Sequence, residues 1–297
     1  MKKGYLYIVA TAFLFSTAEI ASKMIDPPLN PFQLVFLRFL IGGLFLLPFA
    51  VVEIRKRKLR LGVRDWLFFA LTGFLGVVVS MSVFQLALLY SDASVVAVIF
   101  SVNTVFTSVF AVLVLKERFT ANAGAALALG LIGVTAMLYP FTAGANLLGI
   151  VLSLASAAVF ALYGVIGTKR VARYGGYILN SFSFLAGVVM MLPVMAVAGA
   201  PVFDGLTWSN LPVVLYYGIF VTGLGYFCYL SAMKETSAIE TSAVFFIKPA
   251  LAPVLALLTI HEAIKLNKLL GIVLIVAGAF ILFWRRITQR KKLSVQN

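Results

Sequence analysis

Residues 237–260 read SAIETSAVFFIKPALAPVLALLTI, an apolar run that carries Lys248 and Pro249 near its middle. A bilayer core of about 30 Å needs roughly 20 apolar residues per helix. The run meets that length, so its lysine and proline are features of a spanning helix that need a physical reason. Similar runs recur along the 297 residues, of which 62% are hydrophobic and 11% charged. Soluble domains hold about 45–50% apolar and about 25% charged residues, so this composition cannot build a water-facing surface. The runs are apolar all round, whereas the strands of a membrane barrel alternate polarity over about ten residues. Helices also satisfy their own backbone in lipid. The fold class expected is all-α, a polytopic membrane protein.

Ten spans are expected, at about 4–24, 32–52, 66–89, 93–115, 122–139, 147–168, 177–198, 210–232, 237–260 and 267–284. The basic opening resembles a signal peptide, but its apolar stretch is long and lacks a small-residue cleavage site, so it reads as a retained first span. If the N-terminus is cytoplasmic, the inside loops carry Lys2, Lys3, the run from Arg55 to Arg64, Lys116, Arg118, Lys169, Arg170, Arg173 and Lys234. The tail 285–297 adds five more basic residues, whereas the outside loops contribute only Lys265 and Lys268. This bias places both termini in the cytoplasm and the chain in the cytoplasmic membrane. The net charge of +14 then reflects topology and attraction to the lipid bilayer, with no nucleic-acid partner. Cys228 and His261 are alone of their types, which leaves no disulfide, no metal cluster and no cofactor to expect.

A shift of 145 residues lays Gly4 on Gly149, Phe39 on Phe184, Gly42 on Gly187, Pro48 on Pro193 and Gly73 on Gly218. The same register continues through Ala93 and Ala238, Glu117 and Glu262, and Gly133 and Gly278. One register held across loops argues for duplication, with repeats at 4–140 and 147–284. Five spans is an odd number, so the second repeat must enter the membrane in the opposite sense. Inverted repeats are a recurring plan of secondary transporters, with a site near the midplane at the repeat interface.

The stretches ALLYSDASVVAVIFSVNTVFTSVFAVLVLKERF (87–119) and YLSAMKETSAIETSAVFFIKPALAPVLALLTIHEAI (229–264) occupy equivalent places. Both resemble the closing half of the repeat in the EamA family of the drug/metabolite transporter superfamily. The shared marks are the small-residue entries at Ala93 and Ala238, Pro249 in the interrupted span, Glu117 and Glu262 after the span, then Gly133 and Gly278. FSTAEIASKM with LVFLRFLIGGLFLLP resembles the family's first helix pair, with Arg38 and Pro48 in place. The resemblance implies ten helices around a central cavity and movement of small metabolites, often export of amino acids or related compounds. Two departures are Asn103–Thr104 at the proline position of the first repeat, and Glu19 where many relatives carry an uncharged residue.

A charge at the bilayer centre costs between about 2.5 and 17 kcal/mol, so each intramembrane charge is a functional candidate. Lys248 lies about 17 Å from either end of its span at about 1.5 Å rise per residue, too deep for snorkelling alone. Pro249 and Pro253 each release a backbone acceptor. Lys248 therefore either bonds freed carbonyls and holds the kink or binds a substrate anion. Arg38 is expected in a structural or gating role, pairing with Glu19, which also precedes Lys23 by one helical turn. Glu19 is alternatively a substrate contact or proton carrier, because burial raises a carboxyl pKa. Asn103, Gln85 and Glu240 are further candidates for substrate binding, each with a plain reading as an interhelical bond or helix start. Tyr163 and Tyr226 offer apolar bodies with a polar tip.

The reading is a secondary transporter of a small-molecule substrate, an amino acid or related compound, because Lys248 with Glu19 or Glu240 suits a zwitterion. It is compatible with a homo-oligomer. No GxxxxGK[ST] stretch is present to bind nucleotide. Alternatives are a nucleotide-sugar or phosphate-ester carrier, a membrane-embedded enzyme and a non-transporting scaffold. If Glu19 carries a proton, Glu19→Gln flattens the pH dependence of uptake into proteoliposomes, and an unchanged profile rejects that role.

Overall fold

The computed structural model describes residues 2–18, 21, 24–26, 29–91, 93–138, 146–251, 269–278 and 280–281. Glu19, Lys23, Pro253, His261, Glu262 and the tail 285–297 lie outside these. The described residues form helices and short connections. Among the described residues, five helices are long and apolar enough to cross a membrane: Pro31–Arg57, Val63–Tyr90, Val98–Leu115, Leu147–Val197 and Leu211–Glu235. Shorter apolar helices cover Lys3–Ser16, Ala121–Ala136 and Leu269–Gly278. Large apolar side chains such as Leu6 (67% exposed), Leu113 (70%) and Val189 (65%) point outward, a surface suited to lipid.

Local chemistry sets the helix limits. Asn30 accepts the Phe32 N–H at 2.9 Å while Pro31, which has no N–H to leave unpaired, takes the first turn. Asn146 caps the Leu148 N–H in the same way at 2.9 Å. The expected spans 147–168 and 177–198 appear within one helical stretch, Leu147–Val197, broken at Gly175 with φ 78° and ψ 168°. A residue with a Cβ is strained at that φ, and its Cβ would also stand 2.6 Å from Glu53 Oε1. The interruption expected at Pro249 falls earlier, at Ala243, between the helix Ala238–Ser242 and helical residues 244–251. The N–H of Ala243 donates to the Glu240 carbonyl at 3.2 Å, so the turn tightens before the proline is reached.

The Leu147–Val197 stretch packs against Pro31–Arg57, Val63–Tyr90 and Gly225–Glu235. Lipid offers no hydrophobic drive for helices to associate, so close approach over small residues must supply it. At Gly73 an added Cβ would lie 2.2 Å from the Ser183 carbonyl oxygen and 2.8 Å from Gly187 N. At Gly42 it would lie 2.9 Å from the Gly218 carbonyl oxygen. Thr72 and Ser183 join hydroxyls at 2.6 Å beside the first crossing. The Gly73 and Gly218 helices each contain a π-helical segment, Phe74–Met81 and Tyr217–Leu224. Such wide turns are uncommon and concentrate at functional sites.

Each end of the bundle is tied by its own contacts. At one end Ser91 Oγ accepts the Asn146 N–H at 3.1 Å, and Gln33 Nε2 donates to the Asp204 carbonyl at 2.6 Å. At the other, Asp65 and Glu117 bind across helices, as described below. Gly73→Val is expected to lower the thermal midpoint in detergent by about 1–3 kcal/mol of stability through forced helix separation. Gly62→Ala, whose Cβ meets nothing within 4 Å, is the near-neutral control. Equal midpoints for the two variants count against the crossing.

Candidate functional site

A cavity of about 150 Å³ lies among the helices, lined by residues from both halves of the chain. Its aromatic walls include Phe15, Phe100, Phe160 and Phe245. Phe100 meets Phe245 edge-on at 5.8 Å, and Phe160 meets Phe100 at 5.6 Å and Phe245 at 5.4 Å. Tyr226 closes over them, 5.2 Å from Phe15 and 5.8 Å from Phe160. Edge-to-face contacts of this kind hold rings in place beyond what their burial alone does.

Polar side chains interrupt this apolar lining. Arg38, Gln85, Tyr217 and Lys248 all line it. Arg38 is 5% exposed. Its Nη1 donates to the Tyr217 hydroxyl at 2.9 Å, and its guanidinium carbon sits 4.8 Å from the Phe39 ring centroid and 5.2 Å from that of Tyr217. Its Nε and Nη2 have no hydrogen-bond partner among the described residues. The Lys248 carbonyl lies 3.4 Å from the Ser16 hydroxyl, which links the first helix to the residue before Pro249. Ala18 and Leu88 also line the cavity, and Leu88 lies near the end of its helix that Ser91 caps.

Buried tyrosines pack next to the cavity wall. Tyr163 and Tyr229 are fully buried beneath Phe160, at 5.6 and 5.8 Å from its ring. Further along, Glu117 accepts the N–H groups of Ala238 and Ile239 at 2.9 and 3.3 Å, which ties the end of one interrupted span to the start of the other. Asp65, 4% exposed, accepts from the Tyr174 hydroxyl at 2.5 Å, from Arg173 Nη2 at 3.0 Å and from the Gly62 N–H at 2.9 Å. Arg170 stands 3.8 Å away. Glu53 pairs with Arg57, whose Nη1 reaches the Arg173 carbonyl at 3.4 Å.

Of the residues singled out in the sequence, Lys248, Gln85, Tyr226 and Arg38 meet at the cavity. Asn103 does not line it: its Nδ2 donates to the Ala157 carbonyl at 2.8 Å and its Oδ1 accepts from Thr107 at 3.2 Å. Tyr163 lies below the cavity and donates to Asn180 at 3.2 Å. Glu240 is buried in the first turn of Ala238–Ser242, its N–H on the Ser237 hydroxyl at 3.1 Å. Pro249 is buried next to Lys248, and Glu19 and Pro253 lie outside the described residues. Sequence reasoning missed Tyr217, the four phenylalanines named above and Phe84, which meets Phe100 at 5.0 Å. The repeat register contained a signal for those four, since the 145 shift pairs Phe15 with Phe160 and Phe100 with Phe245.

The model of the EamA-like transporter family matches residues 2–139 and again 147–284. An uncharacterized transporter of Clostridium kluyveri is 45% identical over 289 residues, which covers 95% of this chain and 93% of that protein. A WAT1-related chloroplastic protein of Arabidopsis thaliana is 23% identical over 278 residues, 89% of this chain and 65% of that one. A crystal structure at 20% identity superposes with a TM-score of 0.80 over 97% of this chain and 99% of its own, a likeness of fold.

The Asp65 cluster orders three substitutions. Asp65→Ala leaves the Tyr174 hydroxyl and the helix start without their acceptor and is expected to cost about 2–3 kcal/mol. Tyr174→Phe is expected to cost about 1–2 kcal/mol. Arg173→Gln, whose side chain is 51% exposed, should cost under about 1 kcal/mol. Thermal unfolding of the three purified variants checks the order, and Arg173→Gln as the most damaging would contradict it.

Proposed function

Because the chain belongs to the EamA-like transporter family, we propose that it is a secondary transporter working by alternating access. The cargo is a small organic metabolite, an amino acid or related compound, carried outward across the cytoplasmic membrane. The chain is a multi-pass membrane transporter and not an enzyme. In this reading ten helices form two inverted repeats, 4–140 and 147–284, with both termini in the cytoplasm and the cavity as the substrate chamber.

The observation that carries the reading is an exchange relation among contacts. Gly42 crosses Gly218 and Gly73 crosses Gly187, and the 145 shift turns each crossing into the other with partners swapped. Gly133 would meet the Gly271 carbonyl at 2.8 Å and Gly278 the Ala126 carbonyl at 3.1 Å, again a swapped pair. Phe100 with Phe245, and Phe39 with Phe184 at 4.9 Å, are contacts between a residue and its own counterpart. Contacts that a swap maps onto themselves are what a two-fold axis in the membrane plane produces. The double family match and the similar positions of the two π segments support it further.

The basic loops argue that the Asp65 and Glu117 end is cytoplasmic. The chamber is then open outward and closed inward by the buried tyrosines, the Asp65 cluster and the Glu117 cap. The swap relates Glu117 and Ala238 to Glu262 and Ala93, so inward opening would release the first cap and form the second. A chamber of about 150 Å³ favours a metabolite over a nucleotide-sugar.

The test is flux of amino acids into proteoliposomes, paired with labelling by a membrane-impermeant thiol reagent in a Cys228→Ser background. Leu88→Cys should react from outside, and adding Glu117→Gln, which weakens the inner cap, should reduce that labelling at least threefold. Absence of any solute flux, or labelling indifferent to Glu117→Gln, counts against alternating access.

A further inference from the structure

Arg38 combines burial, partial satisfaction and position in a way that its helix-bridging role does not use up. Tyr217 holds Nη1, and the Phe39 and Tyr217 rings lie close to the guanidinium carbon. The donors left over are Nε and Nη2, with no hydrogen-bond partner among the described residues at 5% exposure. These two nitrogens form one edge of the guanidinium, and that edge matches the two oxygens of a carboxylate through parallel hydrogen bonds. Charged donors left unmet in a low-dielectric site are costly, so a site that keeps them is built for an anion.

The other half of the chain supplies a comparison. Under the 145 shift Arg38 falls on Ser183 and Tyr217 on Thr72. Ser183 and Thr72 make the equivalent bridge with two hydroxyls at 2.6 Å. A serine is therefore enough to bridge helices at such a crossing. The guanidinium at position 38 adds a cation and further donors beyond that need, and it adds them where the cavity is.

We propose that the Nε and Nη2 edge of Arg38 binds the carboxylate of the transported solute, a small organic acid whose apolar body packs in the phenylalanine box. This deepens the transport reading and rests on it. Lys248 lines the same chamber and contributes positive potential, and the Gln85 amide offers a further polar contact. A volume of about 150 Å³ matches an engineered apolar cavity that accepts benzene, which sets the scale of the body. Aromatic walls and this size favour a carboxylate over a phosphate ester.

The experiment uses the purified full-length chain in nanodiscs, with binding measured for propionate, valerate, benzoate and phenylalanine against the amide of each. Phenylphosphonate and inorganic phosphate form a second oxyanion arm. At least one carboxylate is expected to bind about ten- to a hundredfold more tightly than its amide. Arg38→Met should reduce that ligand to the affinity of the amide. Arg38→Lys should recover only part of the loss, because an ammonium lacks the two-pronged edge. Gly62→Ala, distant from the cavity and with nothing within 4 Å of its added Cβ, should change affinity by less than about threefold. If Arg38→Met does not fold, the carboxylate-to-amide ratio and the Arg38→Lys variant decide. Equal binding of acids and amides, a preference surviving in Arg38→Met, tighter binding in the phosphorus arm, or no carboxylate binding at millimolar concentration each overturns the proposal. Binding without flux in proteoliposomes would sink the transport reading alone, whereas flux of uncharged solutes without carboxylate binding would sink this inference alone.

Discussion

Helices in a bilayer have no water to expel from between them, so the fold depends on how closely their backbones can approach. The crossings of Gly42 with Gly218 and Gly73 with Gly187 are where that approach is made, with carbonyl oxygens where a Cβ would have to go. Everything central hangs from these contacts. They bring Arg38 to Tyr217 on one side and Thr72 to Ser183 on the other, and they set the separation at which four phenylalanines meet across the middle. The cavity exists because the helices are pinned at glycines on either side and held apart by rings between.

Charge is distributed with similar economy. Acids that are described within the bundle are put to work on backbone or partner groups: Glu117 on two N–H groups, Asp65 on a tyrosine, an arginine and a helix start. These contacts lie at one end and join segments distant in sequence. The cations Arg38 and Lys248 are brought together at the chamber. A network satisfied at one end thus contrasts with an arginine edge at the centre that has no hydrogen-bond partner among the described residues.

Much of this was legible in the sequence, and the limits have physical causes. Hydropathy and length gave the membrane class, and the basic cluster at 169–173 marked the bend that Gly175 makes. Lys248, Gln85 and Tyr226 could be reached because polar atoms at membrane depth are conspicuous. Asn103 was conspicuous for the same reason, yet its amide is spent on the Ala157 carbonyl, a contact that needs the neighbouring helix to be in place. The phenylalanines were hidden by abundance: with 26 in the chain, no single one stands out until the repeat register pairs them. Pro249 pointed to the right span but not to the break at Ala243, because the tightened turn from Ala243 back to Glu240 ends the short helix before the proline is reached. The open edge of Arg38 was invisible in principle, since it depends on which nitrogen Tyr217 takes.

The two π segments, Phe74–Met81 and Tyr217–Leu224, carry a mechanical consequence. A π turn holds one residue more than an α turn needs, so it is a small reserve of slack inside an otherwise taut helix. Moving that slack along the chain lets a helix slide by about 1.5 Å per residue while its backbone bonds are exchanged and never all lost. Tyr217 begins one such segment and holds Arg38, so a shift there would re-aim the guanidinium without unfolding anything. The fold thus contains its own adjustable coupling, geared to a buried arginine that lines the cavity.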